Sequence, residues 1–128
     1  MSRDIINVQY PVLDETQSIC AVGIAKDTVI AENGISIANA FANKNNTLMI
    51  CVENVADADS TVTFVAGDTY PNAMLGNLDV TVGANAITVL QVQDMARFEN
   101  KDGSINVDFA DSFTGNVFVI AKSVDLNV

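Results

Sequence analysis

Turn-forming residues interrupt this chain at short intervals, which leaves room for short strands and little else. The breaks fall at Glu32-Asn33-Gly34, Asn43 to Asn46, Ala56 to Ser60, Gly67-Asp68, Tyr70-Pro71-Asn72, Gly83 to Asn85, Lys101-Asp102-Gly103 and Asp111 to Asn116. Asn-Gly and Asp-Gly tolerate the positive φ angles of tight turns. The runs between them alternate. Leu78, Val80 and Val82 interleave with Asn77, Asp79 and Thr81, Val62 and Phe64 with Thr61 and Thr63, and Ile105, Val107 and Phe109 with Asn106 and Asp108. A period of two places one face in a core and the other in water. Leu48 to Val52 and Val117 to Ala121 are instead apolar throughout. They read as strands covered on both faces, or as strands whose second face meets a partner.

This spacing predicts roughly eight strands. They are placed near Val29–Ala31, Ile35–Ala38, Thr47–Asn54, Thr61–Ala66, Leu78–Val82, Ile87–Gln93, Ile105–Phe109 and Val117–Ser123. Cys20 to Ala25 is a candidate ninth, and Asp94 to Phe98 a single helical turn at a corner. The expected fold class is all-β: one antiparallel β-sandwich, jelly-roll or Ig-like. Residues 17–128 form that domain, and 1–16 an extended N-terminal arm. The arm carries Pro11 and mixed charges among Ile5, Ile6, Val8, Tyr10, Val12 and Leu13. Such a segment is a frayed terminus or a docking strand, on its own domain or on a neighbour.

Composition narrows function by exclusion. Six Lys and Arg face sixteen Asp and Glu, a net charge of −10, so clustered cations for nucleic acid or anionic lipid are missing. No basic start followed by an apolar run marks a secretory signal, and no stretch has the length of a membrane span, so the expected origin is a cytoplasm. Histidine is absent, which removes Ser-His and Cys-His catalysis. Cys20 and Cys51 lie in apolar runs and read as reduced core thiols. Two cysteines without histidine do not make a standard zinc site. Aligning Gly103 with the invariant glycine of an EF-hand loop puts Phe98 and Phe109 at ligand positions, where neither can bind calcium. Asp57 and Asp59 remain as acidic turn residues with a loop cation as the alternative reading. Paired carboxylates for glycoside hydrolysis would want an aromatic-lined cleft, and the chain has no Trp and only two Tyr. No cofactor, metal or catalytic set is expected.

Two segments carry contact-type residues. One is the arm, through Ile5, Ile6, Val8, Tyr10 and Val12. The other is the loop Asp68 to Gly76, through Tyr70, Pro71, Met74 and Leu75. Large apolar groups in a loop suit a docking surface or cap one end of the fold.

Three stretches in order resemble the capsid decoration, or head-auxiliary, proteins of tailed bacteriophages. They are Thr47-Leu48-Met49-Ile50-Cys51-Val52-Glu53-Asn54, then Ser60-Thr61-Val62-Thr63-Phe64-Val65-Ala66-Gly67-Asp68, then Ala96-Arg97-Phe98-Glu99-Asn100-Lys101-Asp102-Gly103-Ser104-Ile105. Leu78 to Val82 also fits, and the resemblance spans roughly residues 28–122. It implies a β-sandwich virion protein, made in the host bacterial cytoplasm, that binds the exterior of the major capsid protein lattice and reinforces it. It implies no enzymatic activity and no cofactor, and is compatible with a homo-oligomer, dimer or trimer. The alternative reading is a carbohydrate- or receptor-binding sandwich of a phage tail, fibre or cell-surface protein.

Overall fold

A computed structural model describes residues 3–10, 16, 18–19, 25–38, 40, 47–68, 72–93 and 97–121. Their strands are β1 (Asp4–Gln9), β2 (Asp27–Thr28), β3 (Ile35–Ala38), β4 (Thr47–Asn54), β5 (Ser60–Phe64), β6 (Leu78–Val82), β7 (Ile87–Gln93), β8 (Ile105–Phe109) and β9 (Gly115–Ala121). A single helical turn, α1 (Asn72–Leu75), sits between β5 and β6. The chain is all-β, and its strands form one almost closed, barrel-like sheet.

Pairing follows a nested plan. β5 pairs β6, β4 pairs β7, β3 pairs β8 and β2 pairs β9, each antiparallel. Further antiparallel ladders join β4 to β9 and β5 to β8. The result is two halves, β6-β5-β8-β3 and β7-β4-β9, the second carrying β2 on the far side of β9. β1 joins them. Its residues Asp4 to Asn7 run parallel to β3, and Val8 and Gln9 run parallel to β9.

The two halves share one core. Ile35, Ile37, Ile105, Val107, Val62 and Phe64 come from one half, and Leu48, Ile50, Val52, Val117 and Val119 from the other. Each such side chain contributes about 1.5–3 kcal/mol by leaving water. Buried positions alternate with outward ones along β5 and β8, as the period-two runs require.

Two local devices hold the corners. Asn54 ends β4 fully buried, and its side chain is satisfied on both ends. Its Nδ2 donates to the carbonyls of Ala58 (2.8 Å) and Val82 (3.2 Å), and its Oδ1 accepts from the Ala56 N–H (3.0 Å). That residue therefore fixes the bend from β4 to β5 against the end of β6. Gly115 opens β9 where no side chain fits: a Cβ there would lie 1.8 Å from the Glu53 carbonyl oxygen.

Several boundaries differ from the sequence reading. The strand expected at Val29–Ala31 lies earlier, because Ile30 accepts from the Asn33 and Gly34 N–H groups and closes a turn there. β5 and β9 each begin before their predicted starts, at Ser60 and Gly115. The candidate strand at Cys20 to Ala25 falls outside the described residues except for Ala25, as do residues 94–96 of the candidate helical turn. For residues 4–9 of the arm the structure selects one of the two alternatives: they are an internal strand seated between β3 and β9, so this part of the segment docks on its own domain.

Candidate contact surfaces

The end of the molecule at the β5–β6 connection is built by side chains far apart in sequence. Asp68 accepts from the Lys101 N–H (2.8 Å), while its own N–H donates to the Asn100 side chain (3.0 Å). The Gly67 N–H donates to the Arg97 carbonyl (2.8 Å). The Arg97 guanidinium then donates to the carbonyls of Gly76 and Asn77, both at 2.9 Å, and stacks over the Phe98 ring. Phe98 in turn packs on Phe64, with centroids 6.1 Å apart. Both flanks of the β5–β6 connection, Gly67–Asp68 and Gly76–Asn77, are thereby tied to the segment before β8. That segment ends in a tight turn: Gly103 sits at φ +85°, and Asp102 accepts from the Ser104 N–H and hydroxyl. The Ser104 hydroxyl beside Asp102 holds its carboxyl below the usual range.

α1 lies between these two flanks. Met74 is 72% exposed and Leu75 59%. Two large apolar side chains are thus exposed side by side on this turn. Tyr70 and Pro71 lie outside the described residues.

The arm residues separate. Ile5 is exposed on the outside of β1. Ile6 is only 4% exposed and packs in the core of its own chain. Its position inside β1, flanked by Ile35 and Ile37 of the neighbouring strand, leaves it no route to a partner. Val8 and Tyr10 are partly buried against the same core. Val12 lies outside the described residues.

A further surface is the second face of the two-sided apolar strands, extended onto β7, which the sequence reading did not single out. The outer face of β9, β4 and β7 carries Phe118 and Ile120, then Met49 and Cys51, then Ile87 and Val89. Phe118 and Cys51 are buried and form a second small cluster with Ile120. Cys51 is a free thiol, and burial pushes its pKa up, away from reactivity. Towards the edge the face opens, and Met49, Ile87 and Val89 are exposed. The signal was present in Ile87 to Gln93, where apolar residues occupy both parities and no charge interrupts them.

One ionic group borders that face. Glu53 accepts from Asn116 Nδ2 and from Lys26 Nζ, each at 2.9 Å. The Asn116 amide, then the Lys26 ammonium, hold its carboxyl below the ordinary range.

The acidic turn at Asp57 and Asp59 has a structural task. Asp57 accepts from the Asn85 side chain (3.2 Å) and Asp59 from the Ala84 N–H (3.0 Å). They brace the turn between β6 and β7, where Asn85 takes the left-handed conformation. Among the described residues no group of three or more His, Cys, Asp or Glu side chains could hold a metal ion. No helix there is long and apolar enough to cross a membrane. Comparison with family models, curated proteins and solved structures found no match to this chain.

Proposed function

We propose that this chain is a structural protein that docks on the exterior of an assembled phage capsid and stabilises it. The observation that carries the reading is the apolar pair Met74 and Leu75, exposed next to Gly76, whose carbonyl Arg97 holds. Repeated over a lattice, a modest contact of this kind draws the shell away from disassembly, because it binds only the assembled state.

The strand order supports reading the fold as a jelly roll. Four nested antiparallel pairs rolled into β6-β5-β8-β3 and β2-β9-β4-β7 are what an eight-stranded roll requires. Jelly rolls serve in viral shells and in lectins, so fold alone does not choose between them. The carbohydrate reading has less support. Phe64, Phe98, Phe109, Phe113 and Phe118 are all buried, which leaves no described phenylalanine to stack on a sugar.

The test is the copy number of this chain in purified particles from its source, by quantitative mass spectrometry against the major shell protein. A fixed fraction of the lattice is expected. Met74→Asp with Leu75→Asp should abolish retention on particles while leaving the thermal unfolding midpoint unchanged. Absence of the wild-type chain from particles, or full retention of the double variant, would overturn the reading.

A further inference from the structure

The two edges of the sheet are not alike. β6 is short and carries Asp79, a charge of the kind that discourages edge-to-edge pairing. β7 is longer, reads Ile-Thr-Val-Leu-Gln-Val-Gln, and has neither a charge nor a proline. Its ladder parity is fixed by the Asn54 N–H, which donates to the Ala86 carbonyl at 2.9 Å. The alternation of an antiparallel ladder then directs Thr88, Leu90 and Val92 towards β4. The backbone groups of Ile87, Val89 and Gln91 point the other way, and no described residue pairs with them. Ile87 and Val89 are 50% and 53% exposed on the adjoining outer face.

We propose that β7 is a self-association edge, and that its occupant is β7 of a second copy of this chain, antiparallel about a two-fold axis. The charge distribution selects that occupant. At a net charge of −10, two copies repel wherever carboxylates meet. The outer face of the other half brings the exposed Asp79 forward, beside Asp108 paired with Arg3, whereas β7 brings no charge, and nearby Glu53 is paired with Lys26. A different partner selected to complement an acidic protein would gain nothing from this uncharged strip. Self-pairing also satisfies the geometry. With Leu90 on the axis, Val89 faces Gln91 of the second copy, so the outward-pointing backbone groups of both strands meet in a hydrogen-bonding register. The eight-stranded sheet that results, β2-β9-β4-β7 from each copy, continues the apolar outer face across the axis. This inference is independent of any role on a capsid.

The first measurement is sedimentation equilibrium of the full chain, where a mass of twice 13.6 kDa is expected at high concentration. Amide exchange by NMR over a dilution series locates the contact without any variant. The Val89 and Gln91 amides should slow by about tenfold or more between dilute and concentrated protein, while those of β6 should not change. Val89→Lys and Gln91→Pro should each shift the chain to monomer. The proline removes an N–H that β4 does not use. Thr81→Lys on the opposite edge should leave the dimer intact. A wild-type monomer throughout the range, exchange at Val89 and Gln91 that ignores concentration, or a dimer that survives both β7 variants would each overturn the proposal.

Discussion

Thr61, Thr63, Asp79, Thr81, Asn106 and Asp108 line the outer face of the β6-β5-β8-β3 half, and the corresponding face of the β7-β4-β9 half is lined by Ile87, Val89, Met49, Cys51, Phe118 and Ile120. Both halves turn aliphatic side chains inward onto one core. They differ in what their second face does. The polar face closes its own hydrogen bonds, such as Thr63 Oγ1 to Asp79 Oδ1 at 2.7 Å, and is finished as a water-facing surface. The apolar face is packed at Phe118 of β9 and Cys51 of β4, where Phe118 is 2% exposed, and opens from Met49 of β4 out to β7. A sheet that is dry on both sides at its centre and bare at one flank is a different object from an amphipathic sheet, although a pleat of period two builds both.

The largest effect expected from breaking this contrast is at Gly115. Placing a methyl group 1.8 Å from the Glu53 carbonyl forces β9 away from β4, the central ladder of the apolar half. Gly115→Ala should cost about 3 kcal/mol or more, read as a lowered urea midpoint. A midpoint equal to the wild type would mean that β4 and β9 do not approach so closely.

Phe118→Ala sharpens the comparison itself. Phe118 points away from the main core, so an amphipathic sheet would lose little by its truncation. Because it is buried against Cys51 and Ile120, the expected cost is about 3 kcal/mol, close to that of a core phenylalanine. The matching substitution on the polar face, Thr63→Ala, should cost about 0.5 kcal/mol, from one exposed hydrogen bond. Equal small losses at both sites would erase the distinction between the faces. Asn54→Ala falls between these, at about 2 kcal/mol. It strands the carbonyls of Ala58 and Val82 and the Ala56 N–H at the corner that joins the halves.

How much of this could be read from the sequence depends on whether the partner of each residue is local. Strands with strict alternation, such as Leu78–Val82 and Ile105–Phe109, were placed correctly because one residue type per face is enough to define them. The two-sided apolar character of Leu48 to Val52 and Val117 to Ala121 was equally visible, and these stretches became the paired β4 and β9. β1 was not legible as an internal strand. Ile6 and Val8 do carry the inward parity, but Pro11 and the scattered charges resembled a tail, and its parallel neighbours lie far along the chain. The ties on either side of Met74 and Leu75 were hidden for the same reason. Asp68 meets Lys101, and Arg97 meets Gly76, only after folding. Met74 and Leu75 could be suspected from their type; the contacts that flank them could not.

A comparably small effect tests Glu53, which borders the apolar face together with its partner Lys26. Asn116 and Lys26 stabilise the ionised form of Glu53, so its pKa is lower folded than unfolded. Such a group binds fewer protons in the native state, and stability therefore falls with acidification. Its contribution is fully present above the unfolded value, near 4.5, and disappears as pH drops through the lower folded value. Lys26 is partly exposed, so screening limits the contribution to about 0.5–1 kcal/mol. Glu53→Gln should thus lower stability by that amount at pH 7, and the two proteins should converge in urea unfolding well below pH 4.5. The gap at pH 7 should also narrow in high salt. An unchanged gap at low pH would assign the loss to the amide's poorer packing on Asn116 rather than to charge. The apolar face would then owe its tolerance of Glu53 to hydrogen bonding alone.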